Sequence, residues 1–295
     1  MPLNVQTFKT RSLTAVVFVL VMLVGLLWSH WTFFILFSVI HFGCWIEYQK
    51  IIGKIDPDYR QISPFHKYGV MIAGWCIMLY FTSDAFHISG LQLHSLGWWL
   101  GLVLMFVLPI IELLFAKEVI LKNIGYSALG LVYISLSWGM MISFFSLTDI
   151  HVHDTLYVLP AYTIPVFIIA SIWINDTMAY IVGSLIGKTP LSKISPKKTW
   201  EGTIGGIILC IGVTGFVLPL ILYPFRDFSF FLVAASIATI ASIAGTFGDL
   251  LESKLKRMAG VKDSGNLMPG HGGFLDRFDS MLLATPFVWL FAHIL

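Results

Sequence analysis

The chain has 295 residues, of which 57% are hydrophobic and only 12% charged, with a formal net charge of +2 and a mean hydropathy of +0.85. A soluble domain carries about a quarter charged residues to hydrate its surface. A water-facing globule of this size is therefore excluded, and lipid must solvate much of the chain.

In chain order, the first apolar run (13–29) follows Lys9 and Arg11, as a signal peptide would. No small-x-small cleavage pattern follows at Trp28-Ser29-His30-Trp31, so a retained first helix is expected. Apolar stretches able to cross about 30 Å of hydrocarbon fall near 13–29, 31–46, 69–83, 96–116, 126–147, 162–186, 203–222, 230–249 and 280–295. The expected fold is all-α: a polytopic transmembrane helical bundle of about nine spans. With the N-terminus in the cytoplasm and the spans alternating, every one of the 18 Lys and Arg residues except Arg226 falls on the cytoplasmic side. That bias is what the positive-inside rule requires, and it puts the C-terminus outside the cell membrane. Cys44, Cys76 and Cys210 lie far apart in apolar runs and read as small buried hydrophobes, without zinc-site or disulfide spacing.

The whole of 1–295 reads as one polytopic membrane domain. Residues 1–159 form an N-terminal scaffold of lipid-facing helices with ordinary connectors. Residues 160–295 carry an unusual load of Asp, Lys, Ser and Gly and read as the catalytic half.

Three segments of that half bear chemistry. Within the sixth stretch, Asn175-Asp176 places a carboxylate about ten residues before the cytoplasmic end. A charge there costs several kcal/mol unless it is paired or metal-bound. The next loop runs from Gly187 and Lys188 through Lys193 to Ser195-Pro196-Lys197-Lys198-Thr199-Trp200-Glu201-Gly202. Its lysines, hydroxyls and glycines suit phosphate oxygens, although it is no Walker loop. In the third segment, 248–279, Asp249, Ser253 and Lys256 share one helical face, with Glu252 beside them. Asp276 and Asp279, three apart, share another. Pro269-Gly270-His271-Gly272-Gly273 between them is a turn that lets backbone approach a ligand. Carboxylates from two helices with nearby lysines are what a Mg²⁺-nucleotide site needs.

At this point the chain resembles a known family. Ser253-Lys254-Leu255-Lys256-Arg257, Lys262-Asp263-Ser264-Gly265 and Pro269-Gly270-His271-Gly272-Gly273-Phe274-Leu275-Asp276-Arg277-Phe278-Asp279 are similar to the phosphatidate cytidylyltransferase signature, and the Ser195–Gly202 block and Asn175-Asp176 match its bacterial members. The resemblance is sharp over 173–280 and only hydropathic before that. It implies a multi-helix membrane fold, a cytoplasm-facing polar cavity, Mg²⁺ dependence (one metal ion or two) and a homodimer. It also implies that Asp249 and Asp276 carry the metal centre with Lys256 next to it, and that Asp176 completes the metal shell or orients a ligand.

The expected reaction joins CTP to phosphatidic acid, giving CDP-diacylglycerol and pyrophosphate, with no nucleic-acid partner. Asp249, Asp276 and Lys256 are the expected catalytic residues. Asn175, Asp176, Lys188, Ser195, Lys197, Lys198, Ser253, Arg257, Lys262, His271 and Arg277 are expected to bind substrate, while Glu252 and Asp263 stand beside the site. A CTP-dependent lipid kinase of the polyprenol or phytol type is the nearest rival, moving the γ-phosphoryl instead. The CDP-alcohol phosphotransferases are disfavoured because their Asp-Gly-x-x-Ala-Arg pattern is absent. An ion-coupled transporter, suggested by Asp176 and Glu112, leaves the charges at 249–279 unexplained. His151 and His153 read as part of a solvated outer loop, flanked by Asp149 and Asp154.

Overall fold

The computed structural model describes residues 5–115, 118–152, 155–223, 228–266 and 272–294. Among these, nine long helices carry the architecture: α1 (Val5–Leu27), α2 (His30–Ile55), α3 (Pro64–Tyr80), α4 (Leu93–Phe115), α5 (Leu121–Ser146), α6 (Thr163–Ile186), α7 (Trp200–Leu222), α8 (Phe228–Met258) and α9 (Leu275–Ile294). Among the described residues, strand is confined to two antiparallel pairs, β1 (His87–Ile88) with β2 (Leu91–Gln92) and β3 (Asp149–Val152) with β4 (Thr155–Val158). The protein is thus an all-α membrane protein. Among the described residues, six helices, α2 and α4 to α8, are long and apolar enough to cross a bilayer.

Helix boundaries follow local chemistry. The tight turn before α2 is a capping box: the Ser29 hydroxyl accepts from the Thr32 N–H, and the Thr32 hydroxyl accepts from the Ser29 N–H. Ser63 caps α3, with Pro64 at its first position. Both α5 and α7 contain a π-helical turn, at Leu131–Leu136 and Ile211–Val217. The first presents the Ser135 hydroxyl to His41 Nε2 (2.9 Å) and Trp45 Nε1 (2.8 Å), satisfying polar groups in a buried setting.

The chain forms two compact units. The first combines Met1–Ser143 with Leu255–Arg277, and the second combines Phe144–Lys254 with Phe278–Leu295.

In the first unit α2 is the central helix, burying Phe33, Phe37, Trp45 and Tyr48. The Phe37 ring lies 5.1 Å from that of Trp138 on α5. Glu112 of α4 is tied into the same unit. One carboxylate oxygen meets His66 Nδ1 and the other accepts from the Ser63 hydroxyl (both 3.1 Å), while His66 Nε2 reaches the Ser127 hydroxyl at 2.8 Å. These bonds offset the cost of a carboxylate on a helix apolar enough to cross a bilayer, and they fasten α3, α4 and α5 together. On α4, Met105, Phe106, Leu113, Leu114 and Phe115 expose 68–73% of their area, an apolar surface suited to lipid.

In the second unit α6 and α7 approach closely through small residues. A Cβ at Gly202 would stand 2.7 Å from the Ala179 carbonyl oxygen, and one at Gly206 2.8 Å from the Ala179 side chain. Small residues also line α8, where Ala234, Ala238, Ala241, Gly245 and Gly248 are all buried.

Candidate active site

The loop between α6 and α7 is held by its own backbone and by several side chains. The Lys198 N–H donates to the Ser195 carbonyl at 3.1 Å, closing a turn with Pro196 at its second position. The Leu191 N–H donates to the Lys198 carbonyl at 2.7 Å, and the Trp200 N–H to the Thr189 carbonyl at 2.9 Å. Thr199 caps α7 by accepting from the Gly202 N–H at 3.1 Å. The Glu201 carboxylate accepts from the Lys188 and Thr189 N–H groups and from the Thr189 hydroxyl. Glu201 and Thr199 therefore shape the loop, and the loop delivers Lys198.

The Lys198 ammonium pairs with Asp249 Oδ2 on α8. Burial disfavours its charge, but the facing carboxylates, Asp249 first and then Asp176 and Asp279, more than offset this and hold its pKa above the ordinary lysine value. Asp249 also accepts from the Ser253 hydroxyl one turn later, at 3.3 Å.

Gly248, just before Asp249, lets α8 meet the backbone of α9. The result is a group of three carboxylates: Asp249, Glu252 and Asp279 each place an oxygen within 4.8 Å of the others, with Glu252 and Asp279 buried. Three carboxylates at that spacing repel one another. All three offer carboxylate oxygens, the donors a hard divalent cation takes. Asn175 is buried on α6, its amide 3.5 Å from the Thr246 hydroxyl, while Asp176 is on an exposed face of α6.

Asp276 belongs to the first unit and has different company. Its Oδ1 accepts from Lys256 Nζ at 2.6 Å. Its Oδ2 accepts from the Ser264 N–H (2.8 Å), the Ser264 hydroxyl (2.9 Å) and the Gly273 N–H (2.8 Å). Gly272 precedes this turn at φ +82°, a backbone that side chains other than glycine rarely adopt. Asp249 thus has Lys198 as its ammonium partner, and Asp276 has Lys256.

Among the other expected ligands, Lys188, Lys197, Arg257, Lys262 and Arg277 are exposed, Ser195 and Ser253 are half-buried, and His271 lies outside the described residues. His153 lies outside them too, and for His151 only the backbone, on β3, is described. Two carboxylates are more central than the sequence suggested. Asp279 was legible from its spacing to Asp276 but was not counted as a ligand. Glu47 of α2 carried no signal beyond being an acid near the end of an apolar stretch, yet it accepts three hydrogen bonds from the segment 264–275.

A membrane helical protein with a lysine-bearing loop set against clustered carboxylates is the class of molecule seen here, and a model of the cytidylyltransferase family matches residues 9–295. The chain belongs to that family. Among curated proteins, it is 32% identical over 281 residues to the phosphatidate cytidylyltransferase of Staphylococcus saprophyticus, covering 94% of this chain and 96% of that one. It is 44% identical over 128 residues to the Synechocystis phosphatidate cytidylyltransferase, covering 43% of this chain and 42% of that one. Against Arabidopsis thaliana phosphatidate cytidylyltransferase 4, chloroplastic, it is 46% identical over 117 residues, covering 40% of this chain and 29% of the plant protein.

Proposed function

We propose that the chain transfers the cytidylyl group of CTP to phosphatidic acid, releasing pyrophosphate and forming CDP-diacylglycerol. The observation that carries this reading is the triad Asp249, Glu252 and Asp279 with Lys198 against it, in a membrane chain of the cytidylyltransferase family. Asp249 and Asp276 are proposed as the principal metal-binding carboxylates, with Asp176 in support, and Glu252 and Asp279 as further ligands beside Asp249. When bound, Mg²⁺, as one ion or two, neutralises triphosphate charge.

The chain's own residues do the rest by position and charge, which is most of what phosphoryl transfer asks of a protein. The lipid phosphate attacks the α-phosphorus of CTP in line, and the bond to the pyrophosphate oxygen breaks. Lys197, Lys198, Lys256 and Arg257 offset charge on the leaving pyrophosphate and the incoming phosphate. Lys188, Ser195, Ser253, Lys262, His271 and Arg277 are proposed to contact substrate. Asn175 does so from inside the membrane.

All nine helices are proposed to cross the cell membrane, with the N-terminus and both functional loops cytoplasmic, the C-terminus outside and the working form a homodimer. The lipid then reaches the site sideways from the bilayer. Incubating purified protein with labelled CTP, phosphatidic acid and Mg²⁺ tests the reading. Pyrophosphate and CDP-lipid are the expected products, whereas CDP and a phosphorylated lipid would assign the chain to the lipid kinases.

A further inference from the structure

Glu47 lies on α2, more than two hundred residues from the segment it serves. A buried carboxylate costs several kcal/mol unless its oxygens find donors, and Glu47, only 5% exposed, finds three. Oε1 accepts from the Phe274 N–H at 2.9 Å. Oε2 accepts from the Leu275 N–H at 2.9 Å and from the Ser264 hydroxyl at 2.6 Å. Phe274 and Leu275 open α9, where the first N–H groups have no partners within the helix. Phe274 sits where Ser, Asp or Asn usually caps, and its side chain cannot accept. Glu47 performs that task from a distant helix, and its negative charge also suits the helix N-terminus.

The surroundings are cleared for this carboxylate. A Cβ at Gly265 would stand 2.1 Å from Glu47 Oε1, and one at Gly273 2.3 Å from both oxygens. One turn before Glu47, a Cβ at Gly43 would be 2.3 Å from the Phe274 ring. Glycines in the signature segment therefore make room for Glu47, and Gly43 makes room for Phe274.

The contact continues to Asp276. The Ser264 hydroxyl that meets Glu47 Oε2 also meets Asp276 Oδ2, and the Gly273 N–H donates to the same Asp276 oxygen. We propose that Glu47 is a positioning residue for Asp276: it fixes the first turn of α9 and the Ser264 hydroxyl, and these fix the carboxylate. The proposal rests on Asp276 binding metal in the cytidylyltransfer reaction.

Outer groups that orient metal ligands typically contribute 10–100-fold in affinity or activity. Glu47→Gln keeps the volume but turns an N–H donor toward other donors. The expected result is a folded protein with kcat lowered 10–100-fold, KM for phosphatidic acid unchanged, and Mn²⁺ bound 10–100-fold more weakly by electron paramagnetic resonance without nucleotide. In an Asp276→Asn background the same change should cost little, since its route of action is already lost. Wild-type kcat and Mn²⁺ affinity in folded Glu47→Gln, or an equal loss in both backgrounds, would overturn the proposal while leaving an impaired Asp276→Asn as support for the metal site. If Asp276→Asn itself keeps wild-type turnover and Mn²⁺ affinity, the metal reading fails and Glu47 loses its role with it. Should Glu47→Gln not fold, Ser264→Ala carries the test on the same thresholds, because it cuts the bridge and leaves the Glu47 bonds to the Phe274 and Leu275 N–H groups in place.

Discussion

A Cβ on Gly248 would stand 2.5 Å from the carbonyl oxygen of Asp279 and 3.0 Å from the Cα of Ser280. At this point α8 and α9 meet backbone to backbone, and the contact lies one residue from Asp249 and beside Asp279. The closeness of the two helices and the closeness of the carboxylates are one feature of the structure.

Gly248→Ala should therefore damage the site through packing. Backbone atoms cannot swing aside as a side-chain tip can, so the helices must separate, at about 1–3 kcal/mol for an added methyl in a filled space. The expected outcome is a lower unfolding midpoint in detergent together with a raised Mg²⁺ requirement. A variant with wild-type midpoint and wild-type Mg²⁺ dependence would refute the account of Gly248.

Lys197 and Lys198 are neighbours with different surroundings. Lys198 is paired to Asp249, while Lys197 is exposed. A charge-assisted contact is worth about 1.5–3 kcal/mol, which corresponds to about 10–100-fold in rate. Lys198→Met should lose that much turnover without raising the Mg²⁺ requirement, since removing a positive charge beside the carboxylates does not weaken cation binding. Lys197→Ala should cost less, and its effect should shrink at high salt, where exposed charges are screened. Steady-state kinetics at two ionic strengths checks both, and an equal loss in the two variants would show that the loop acts only through its net charge.

Much of the fold could be read from the sequence because the solvent is lipid. Apolar stretches marked each helix, and the Ser29 turn between α1 and α2 was legible as a break between two of them. The loop 187–202 was legible for its lysines, but Glu201 and Thr199 were read with the phosphate-binding block when they in fact shape the loop and cap α7. Asp279 was visible as a helical neighbour of Asp276, but spacing alone could not show that it lies beside Asp249 and Glu252. Glu47 was invisible, because two of its three partners are backbone N–H groups that any sequence would supply. The same holds for Gly265 and Gly273, whose clearance for Glu47 looks in the sequence like room for a ligand.

Membrane topology gives an independent test. Cysteines placed at exposed Lys193 and Lys262 should react with an impermeant reagent only from the cytoplasmic side. The background should lack Cys44, Cys76 and Cys210, all buried, so that unfolding cannot contribute signal. Labelling of either site from outside would rule out nine alternating spans.

The carboxylates themselves give the most discriminating experiment. Changing Asp249, Asp276 or Asp279 to Asn keeps size and polarity and removes one charged oxygen ligand. Transition-state charge on the triphosphate is then poorly neutralised, and losses of about 10²-fold or more in turnover are expected. Glu252→Gln should exceed Asp263→Asn in cost, because Glu252 is buried with Asp249 and Asp279 while Asp263 is exposed. Raising Mg²⁺ should recover part of the loss where affinity is the defect. Stability should move the other way for the triad: in chelator, three crowded carboxylates repel one another, so neutralising one relieves strain in the metal-free protein. Asp279→Asn is accordingly expected to unfold at a higher temperature than the parent in EDTA and to lose the parent's stabilisation by added Mg²⁺. Asp276→Asn should not gain that stability, since its carboxylate is already matched by Lys256, Ser264 and Gly273. If Asp249→Asn and Asp279→Asn stay folded and keep near-parental turnover at limiting Mg²⁺, the triad is not the metal site.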